Sequence, residues 1–210
     1  MTVFWDWNGT LLDDTHAAVA ALSGILRRRS LPPVGFDEYR ATFAFPARDY
    51  YARAGLDLES EDWDALAREY HDAYLAQPKA LARDAAEALD LAASLGFSQM
   101  VVSAMEQGLL ESEVARYRLA GRFDAVRGTG NLDGGSKIDA ARALARRISA
   151  AKPGETFAVV GDSLHDKETA DAIGAACILY SGGSHAPERL RPVAPVADSL
   201  AAAVRLLRQI

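Results

Sequence analysis

A single cysteine, Cys177, stands in 210 residues, so no internal disulfide can staple the chain. It sits in the run Ala176-Cys177-Ile178-Leu179, which reads as a buried strand, and a small core hydrophobe is the expectation there. Long apolar runs are missing as well. None approaches the roughly 20 residues that a membrane-spanning helix needs, and the start Met1-Thr2-Val3-Phe4-Trp5-Asp6 has neither the basic region nor the apolar stretch of a secretory signal. The four histidines, His16, His71, His165 and His185, show no paired metal spacing, which speaks against a zinc site. Excess positive charge is absent: the net charge of -6 argues against nucleic acid or a membrane surface as partner. Arg27-Arg28-Arg29 falls at the expected end of a helix, where solvated cations complement the dipole. No internal repeat, low-complexity tract or long linker interrupts the chain. What remains is a soluble, cytoplasmic globular protein whose length suits one core, with or without a smaller insertion.

After about residue 80, short apolar runs alternate with helical patterns. Met100-Val101-Val102 ends on Ser103, Phe123-Asp124-Ala125-Val126 ends near Gly128, and Thr156-Phe157-Ala158-Val159-Val160 ends on Gly161-Asp162. Cys177-Ile178-Leu179-Tyr180 ends on Ser181-Gly182-Gly183, and Ile138, Ala141, Ala145 and Ile148 recur at helical spacing. Strands that are apolar throughout, separated by helices, predict an α/β fold with a Rossmann-like parallel sheet covered on both faces. Asp6, Ser103 and Asp162 all fall at strand carboxyl ends, the edge where open α/β sheets bind ligands. From residue 14 to 80 the rhythm changes to helix after helix, over 15–29, 36–43, 47–54 and 61–76, punctuated by Pro32-Pro33, Pro46 and Gly55. The expected organisation is an α/β core of residues 1–13 and 81–210, with 14–80 inserted as a helical cap over the first strand's edge.

Four signals carry chemistry: Asp6 with Thr10, then Ser103, then Lys137, then Gly161-Asp162-Ser163-Leu164-His165-Asp166. Each has a bland explanation. Asp6 can satisfy turn amides. Ser103-Ala104-Met105-Glu106 fits a helix capping box, and Ser136-Lys137-Ile138-Asp139 resembles the same device, placing Lys137 on a first helical turn. Together they suit phosphoryl transfer to a carboxylate, which needs a nucleophile, a divalent cation and donors around the transferring oxygens. Asp6 is the candidate nucleophile, Asp162 and Asp166 offer the hard oxygen ligands that Mg²⁺ prefers, and Lys137 neutralises phosphate charge. Ser103 and nearby amides, Ala104 among them, donate to phosphate oxygens.

In order and type these motifs resemble those of the haloacid dehalogenase-like phosphatases, across nearly the whole chain. The family's Asp-x-Asp-x-Thr corresponds to Asp6-Trp7-Asn8-Gly9-Thr10, its serine or threonine motif to Ser103, its lysine to Lys137, and its acidic Gly-Asp-x-x-x-Asp to Gly161 through Asp166. The helical insertion is similar to the cap of phosphoglycolate phosphatase-like members. The resemblance implies an aspartyl-phosphate on Asp6, with Mg²⁺ held by Asp6, the backbone carbonyl of Asn8 and Asp162, and with Asp166 supporting it. Asn8 departs from the pattern. An amide cannot protonate a leaving oxygen, and such general acid help is worth about 10²–10⁴-fold. His16, Asp13 or a cap residue are the candidates to replace it; a leaving group that needs no acid, such as an acyl or aryl phosphate, is the other way out. The expected function is a slower Mg²⁺-dependent phosphatase of a small phosphorylated metabolite, monomeric or homodimeric. A non-catalytic phosphoryl-ligand binder and a metal-free carbon–halogen hydrolase are the alternatives.

Substrate choice should come from the cap. Arg48 and Tyr51 share a helix face and are placed to meet a substrate group, while Asp49 and Arg53 read as a surface pair. Lys79 is the one lysine between Asp14 and Ala80, and it lies at the cap's exit, so no Schiff-base lysine is expected deep in the cap. His165 reads as a solvated loop residue. Gly128-Thr129-Gly130-Asn131-Leu132-Asp133 half resembles a dinucleotide fingerprint, but its sixth position is Asp133, and a turn presenting Lys137 is the better reading.

Overall fold

The structure, a computed structural model, describes residues 1–130, 132 and 136–209. Strand β1 (Thr2–Trp5) and the short β2 (Leu12–Asp13) come first, followed by four helices: α1 (Thr15–Arg28), α2 (Phe36–Thr42), α3 (Ala47–Arg53) and α4 (Trp63–Leu75). The chain continues through β3 (Ala80–Leu81), α5 (Ala85–Ser94), β4 (Ser98–Glu106), α6 (Gln107–Arg116), β5 (Ala125–Thr129), α7 (Ile138–Ala151) and β6 (Phe157–Gly161). It ends with α8 (Leu164–Ala172), β7 (Ala176–Tyr180), α9 (Pro187–Leu190), β8 (Val196–Ala197) and α10 (Leu200–Leu207).

The main sheet has six strands in the order β5-β4-β1-β6-β7-β8, with every pairing parallel. Side chains alternate across a strand, so Val3 and Trp5 of β1 enter one core layer and Phe4 the other. The first layer packs Val3, Trp5, Val101 and Val160 against Ala88 and Leu89 of α5, Leu110 of α6 and Val204 of α10. The second packs Phe4, Met100, Val102 and Val159 against Ala141, Leu144 and Ala145 of α7 and Ala170 of α8. Two covered faces explain why these strands are apolar throughout. Cys177 is buried in the second layer, and burial pushes its thiol up to about 12, an inert core residue.

Helices α1 to α4 build a separate apolar cluster from Leu22, Ile25, Leu26, Tyr39, Tyr50, Tyr51 and Leu66. The chain enters and leaves them through a two-strand antiparallel ribbon, with Leu12 opposite Leu81 and Asp13 opposite Ala80. Two-residue strands carry too little pattern to be seen in sequence, and β8 went unforeseen for the same reason. At the end of α1, Arg29 is no solvated cation: it pairs with Glu61 and with Glu69 at 3.0 Å, tying α1 to α4.

Three local expectations are corrected. Strand β4 runs on to Glu106, whose carboxylate caps α6 by accepting from Leu109 N at 2.9 Å. Ser103 is therefore a strand residue and not a helix cap. The β4–β5 register slips between Val102 and Glu106, an irregularity of the kind that re-aims side chains, and Ser103 and Ala104 lie within it. Lys137 is the cap residue of α7, one position before its first turn. His165 is buried in α8, its ring 4.9 Å from that of Phe45. Of the half fingerprint, Gly128 and Thr129 close β5, while Asn131 and Asp133 lie outside the described residues.

Candidate active site

Strands β1 and β6 are neighbours, so the residues that follow them share one end of the sheet. Asp6 is locked there by its amide, which donates to Val160 O at 2.9 Å. Gly9 turns the chain with φ +75, and a Cβ there would collide with the Asp162 carboxylate, so glycine answers both demands. Thr10 Oγ1 donates to Asp162 Oδ1 at 2.8 Å, while Ser184 N and Oγ donate to Asp162 Oδ2 at 2.6 and 2.5 Å. Asp166 Oδ2 accepts from Asp162 N, Ser163 N and Ser163 Oγ at 3.1, 2.9 and 2.6 Å. Lys137 Nζ bridges the two halves, donating to Asp6 Oδ1 and Asp166 Oδ1 at 2.5 Å each.

Burial raises the Asp6 carboxyl well above the usual range; Lys137 opposes this, and Asp166 and Asp162 add to it. Asp162 is also raised, by burial and by Asp166. Burial would lift Asp166 as well, yet Lys137 and Ser163 hold it below its ordinary value. Burial disfavours the Lys137 charge, but Asp166 and Asp6 more than reverse that. One oxygen from each of Asp6, Asp162 and Asp166 lies within 4.8 Å of the others. Three buried carboxyls against one lysine leave a deficit of positive charge, and the all-oxygen donor set fits a hard divalent cation.

Asn8 has its side-chain amide fully occupied. Its Nδ2 donates to Asp14 Oδ2 at 2.6 Å and to Tyr74 OH at 2.9 Å, and its Oδ1 accepts from Ser103 Oγ at 3.1 Å. Asp14 also accepts from Gly9 N at 2.7 Å and from Tyr74 OH. Burial pushes the Asp14 carboxyl from 3.8 up to about 6, against the pull of Asn8, Tyr74 and Gly9. A raised carboxyl favours the fold in acid, and that contribution disappears as pH climbs through about 6. In metal-free protein, urea unfolding should show the stability of wild type relative to Asp14→Asn falling by about 2–2.5 kcal/mol from about pH 4 to about pH 7.5. A constant difference would mean that Asp14 titrates as it does in the unfolded chain.

Above these groups lies a cavity of about 140 Å³, lined at its base by Asp6, Asn8, Ser103, Ala104 and Lys137 and along its wall by residues of α1 to α4. Asp14, Tyr74 and Ser184 also line it. Sequence reasoning missed all three, although Tyr70 and Tyr74 are spaced four apart on one helix face. Thr10 is fully buried with its hydroxyl on Asp162, so it braces a carboxylate and does not line the cavity. Arg48 is exposed, its guanidinium 5.3 Å from the centre of the Trp63 ring; Trp63 and Tyr51 line the cavity and Arg48 does not. His16, exposed and stacked on Phe36, and the exposed Asp13 are likewise no part of the lining. Arg53 lies over Tyr50, and Lys79 Nζ donates to carbonyls at the end of α4.

A parallel sheet carrying buried carboxylates and a lysine at one end, beneath a helical insertion, defines a hydrolase class. A family model of the haloacid dehalogenase-like hydrolases matches residues 1–174. The chain belongs to that family, and to its phosphatases. A phosphoglycolate phosphatase of Caulobacter vibrioides is 31% identical over 193 residues, 87% of this chain and 79% of the relative. A probable phosphatase, IndB, of Dickeya dadantii is 26% identical over 92% of this chain and 86% of its own length. Among solved structures, a haloacid dehalogenase-like family protein of Streptococcus pneumoniae superposes with a TM-score of 0.80 at 16% identity, covering 98% of this chain and 97% of that one. A predicted phosphatase from Clostridium acetobutylicum gives 0.78 at 17% identity, covering 100% and 98%. These two similarities concern the fold.

Proposed function

We propose that the chain is a Mg²⁺-dependent phosphatase that hydrolyses a small phosphorylated metabolite through an aspartyl-phosphate on Asp6. The observation that carries this is Lys137, which holds the Asp6 and Asp166 carboxylates together at the base of a cavity. Asp6, the backbone carbonyl of Asn8 and Asp162 would hold Mg²⁺, with Asp166 in support; the ion supplies positive charge to the transferring phosphoryl oxygens. Asp6 is the nucleophile, kept in place by its amide bond to Val160 and by Lys137. Lys137, Ser103 and the Ala104 amide receive the phosphate, and Thr10 and Ser184 fix Asp162. Residues 14–80 act as a cap on a core of 1–13 and 81–210. The cap is tied down by Arg40, whose Nε donates to Gly183 O at 2.8 Å, and by Arg189, whose Nη1 donates to Phe43 O at 2.7 Å. Among the described residues no helix is long and apolar enough to cross a membrane. The proposed substrate is a small molecule, met in the cytoplasm by a monomer or homodimer.

The test is phosphate release from 4-nitrophenyl phosphate, an ester that asks little of a general acid. Release should require Mg²⁺ and cease with chelator. No release at high enzyme concentration would favour a phosphoryl-ligand binder, and release unaffected by chelation would overturn the metal assignment.

Asn8→Asp alone should bring little gain on alkyl phosphates, because the new carboxyl would stand where Asn8 Nδ2 now lies, 2.6 Å from Asp14 Oδ2. Two carboxyls that close share one proton. The double substitution Asn8→Asp/Asp14→Asn should raise kcat on alkyl phosphates by about 10²–10⁴-fold. An equal rate in wild type and double variant would show that proton transfer at residue 8 does not limit turnover.

A further inference from the structure

The cavity wall is aromatic. Phe43, Tyr51, Trp63, Tyr70 and Tyr74 face it, with Met105 from the core side. Among the described lining residues Lys137 is the only lysine or arginine, and both of its flanking carboxylates claim it. His71 also lines the wall, its Nε2 3.1 Å from Leu132 O, and burial lowers its pKa below the ordinary value. Arg48 of α3 is not a lining residue; its guanidinium lies 5.3 Å from the centre of the Trp63 ring. A substrate carboxylate would enter this wall without a counter-charge and would meet Asp14, a poor exchange for its hydration.

The cavity's size sets an upper bound on the substrate. At about 140 Å³ it matches the scale of an apolar cavity, ~150 Å³, that takes up benzene. Asn8 adds a chemical constraint. Its amide donates to Asp14 and Tyr74 and accepts from Ser103, so it has no proton to give to a departing oxygen.

Resting on the phosphatase reading above, we infer that the substrate class is a phosphomonoester of an uncharged aromatic alcohol, a phenolic ester above all, and not a phosphorylated carboxylic acid. In the first step an Asp6 oxygen bonds to phosphorus, the P–O(aryl) bond breaks, and its electron pair leaves on the phenolate, which takes a proton from solvent. In the second, water attacks phosphorus and loses a proton to solvent, and the P–O(Asp6) bond breaks to give inorganic phosphate and the Asp6 carboxylate. The phenolate departs as a stable anion, so the first step needs no acid at residue 8.

The experiment compares kcat and KM of the Mg²⁺-loaded enzyme on phenyl phosphate, benzyl phosphate, 4-carboxyphenyl phosphate and phosphoglycolate. Phenyl phosphate should exceed 4-carboxyphenyl phosphate and phosphoglycolate in kcat/KM by at least about tenfold. Benzyl phosphate should match phenyl phosphate in KM and fall behind in kcat by about 10²–10⁴-fold, since it must leave as an alkoxide. Ala67→Arg, which plants a cation in the wall, should narrow or reverse the preference over 4-carboxyphenyl phosphate. If that variant does not fold, the wild-type comparison decides alone. Phosphoglycolate turned over as well as phenyl phosphate would overturn the aromatic substrate class and leave the phosphatase standing. Phosphate release from none of the four would overturn the phosphatase reading itself.

Discussion

Asp6→Asn is expected to remove phosphate release by at least on the order of 10³-fold, because an amide oxygen cannot accept a phosphoryl group as a carboxylate does. The substitution should not cost the fold. Asp6 is a buried carboxyl raised by desolvation and by two acidic neighbours, so replacing it with its isostere relieves repulsion in metal-free protein. Lys137 keeps Asp166 as partner at 2.5 Å. Thermal unfolding of the metal-free variant should therefore come at or above the wild-type temperature. Lost activity with an intact fold separates a nucleophile from a structural carboxylate. A variant that keeps wild-type turnover would remove Asp6 from the mechanism.

The second large effect falls on stability as well as rate. Lys137→Met leaves Asp6 and Asp166 buried with no counter-charge, and breaking a buried pair in this way typically costs about 3–5 kcal/mol. The pH dependence has a definite sign. Asp166 is held below its ordinary value by Lys137, so in wild type its contribution is present above that value and is lost as pH falls through the depressed one. Without Lys137 that contribution disappears at neutral pH. The deficit of the variant should thus be largest near neutral and shrink in acid, where both carboxyls are protonated. Urea unfolding of metal-free protein across that range measures it; a deficit independent of pH would mean that the loss comes from packing and not from charge.

The elements that sequence makes legible are those whose chemistry is local. Apolar runs such as Phe157 to Val160 declare a buried parallel strand, Asp6, Ser103 and Asp162 declare themselves by standing just past such runs, and Lys137 by a capping pattern at a helix start. The helices of the insertion are readable from Pro and Gly punctuation, and their observed bounds fall within two residues of the expected ones. What is not legible depends on long-range placement. Asp14 looks like the second of two ordinary adjacent aspartates until Tyr74, sixty residues on, is seen to donate to it. Ser184 looks like a loop serine until it is found on Asp162. Arg48 shares a helix face with Tyr51, yet Tyr51 lines the cavity while Arg48 lies over the Trp63 ring. Ser103 satisfies a capping pattern that loses to the sheet, because pairing with β5 carries β4 on to Glu106.

The central claim is that Asp6 carries the phosphoryl group, and trapping it is the most direct measurement. The Mg²⁺-loaded enzyme is mixed with excess phenyl phosphate, quenched in acid and reduced with borohydride, which converts an aspartyl-phosphate to homoserine, and its peptides are read by mass spectrometry. The account predicts homoserine at position 6 and at no other aspartate. Turnover with no homoserine at position 6, or with homoserine at Asp14 or Asp162 in its place, would contradict it.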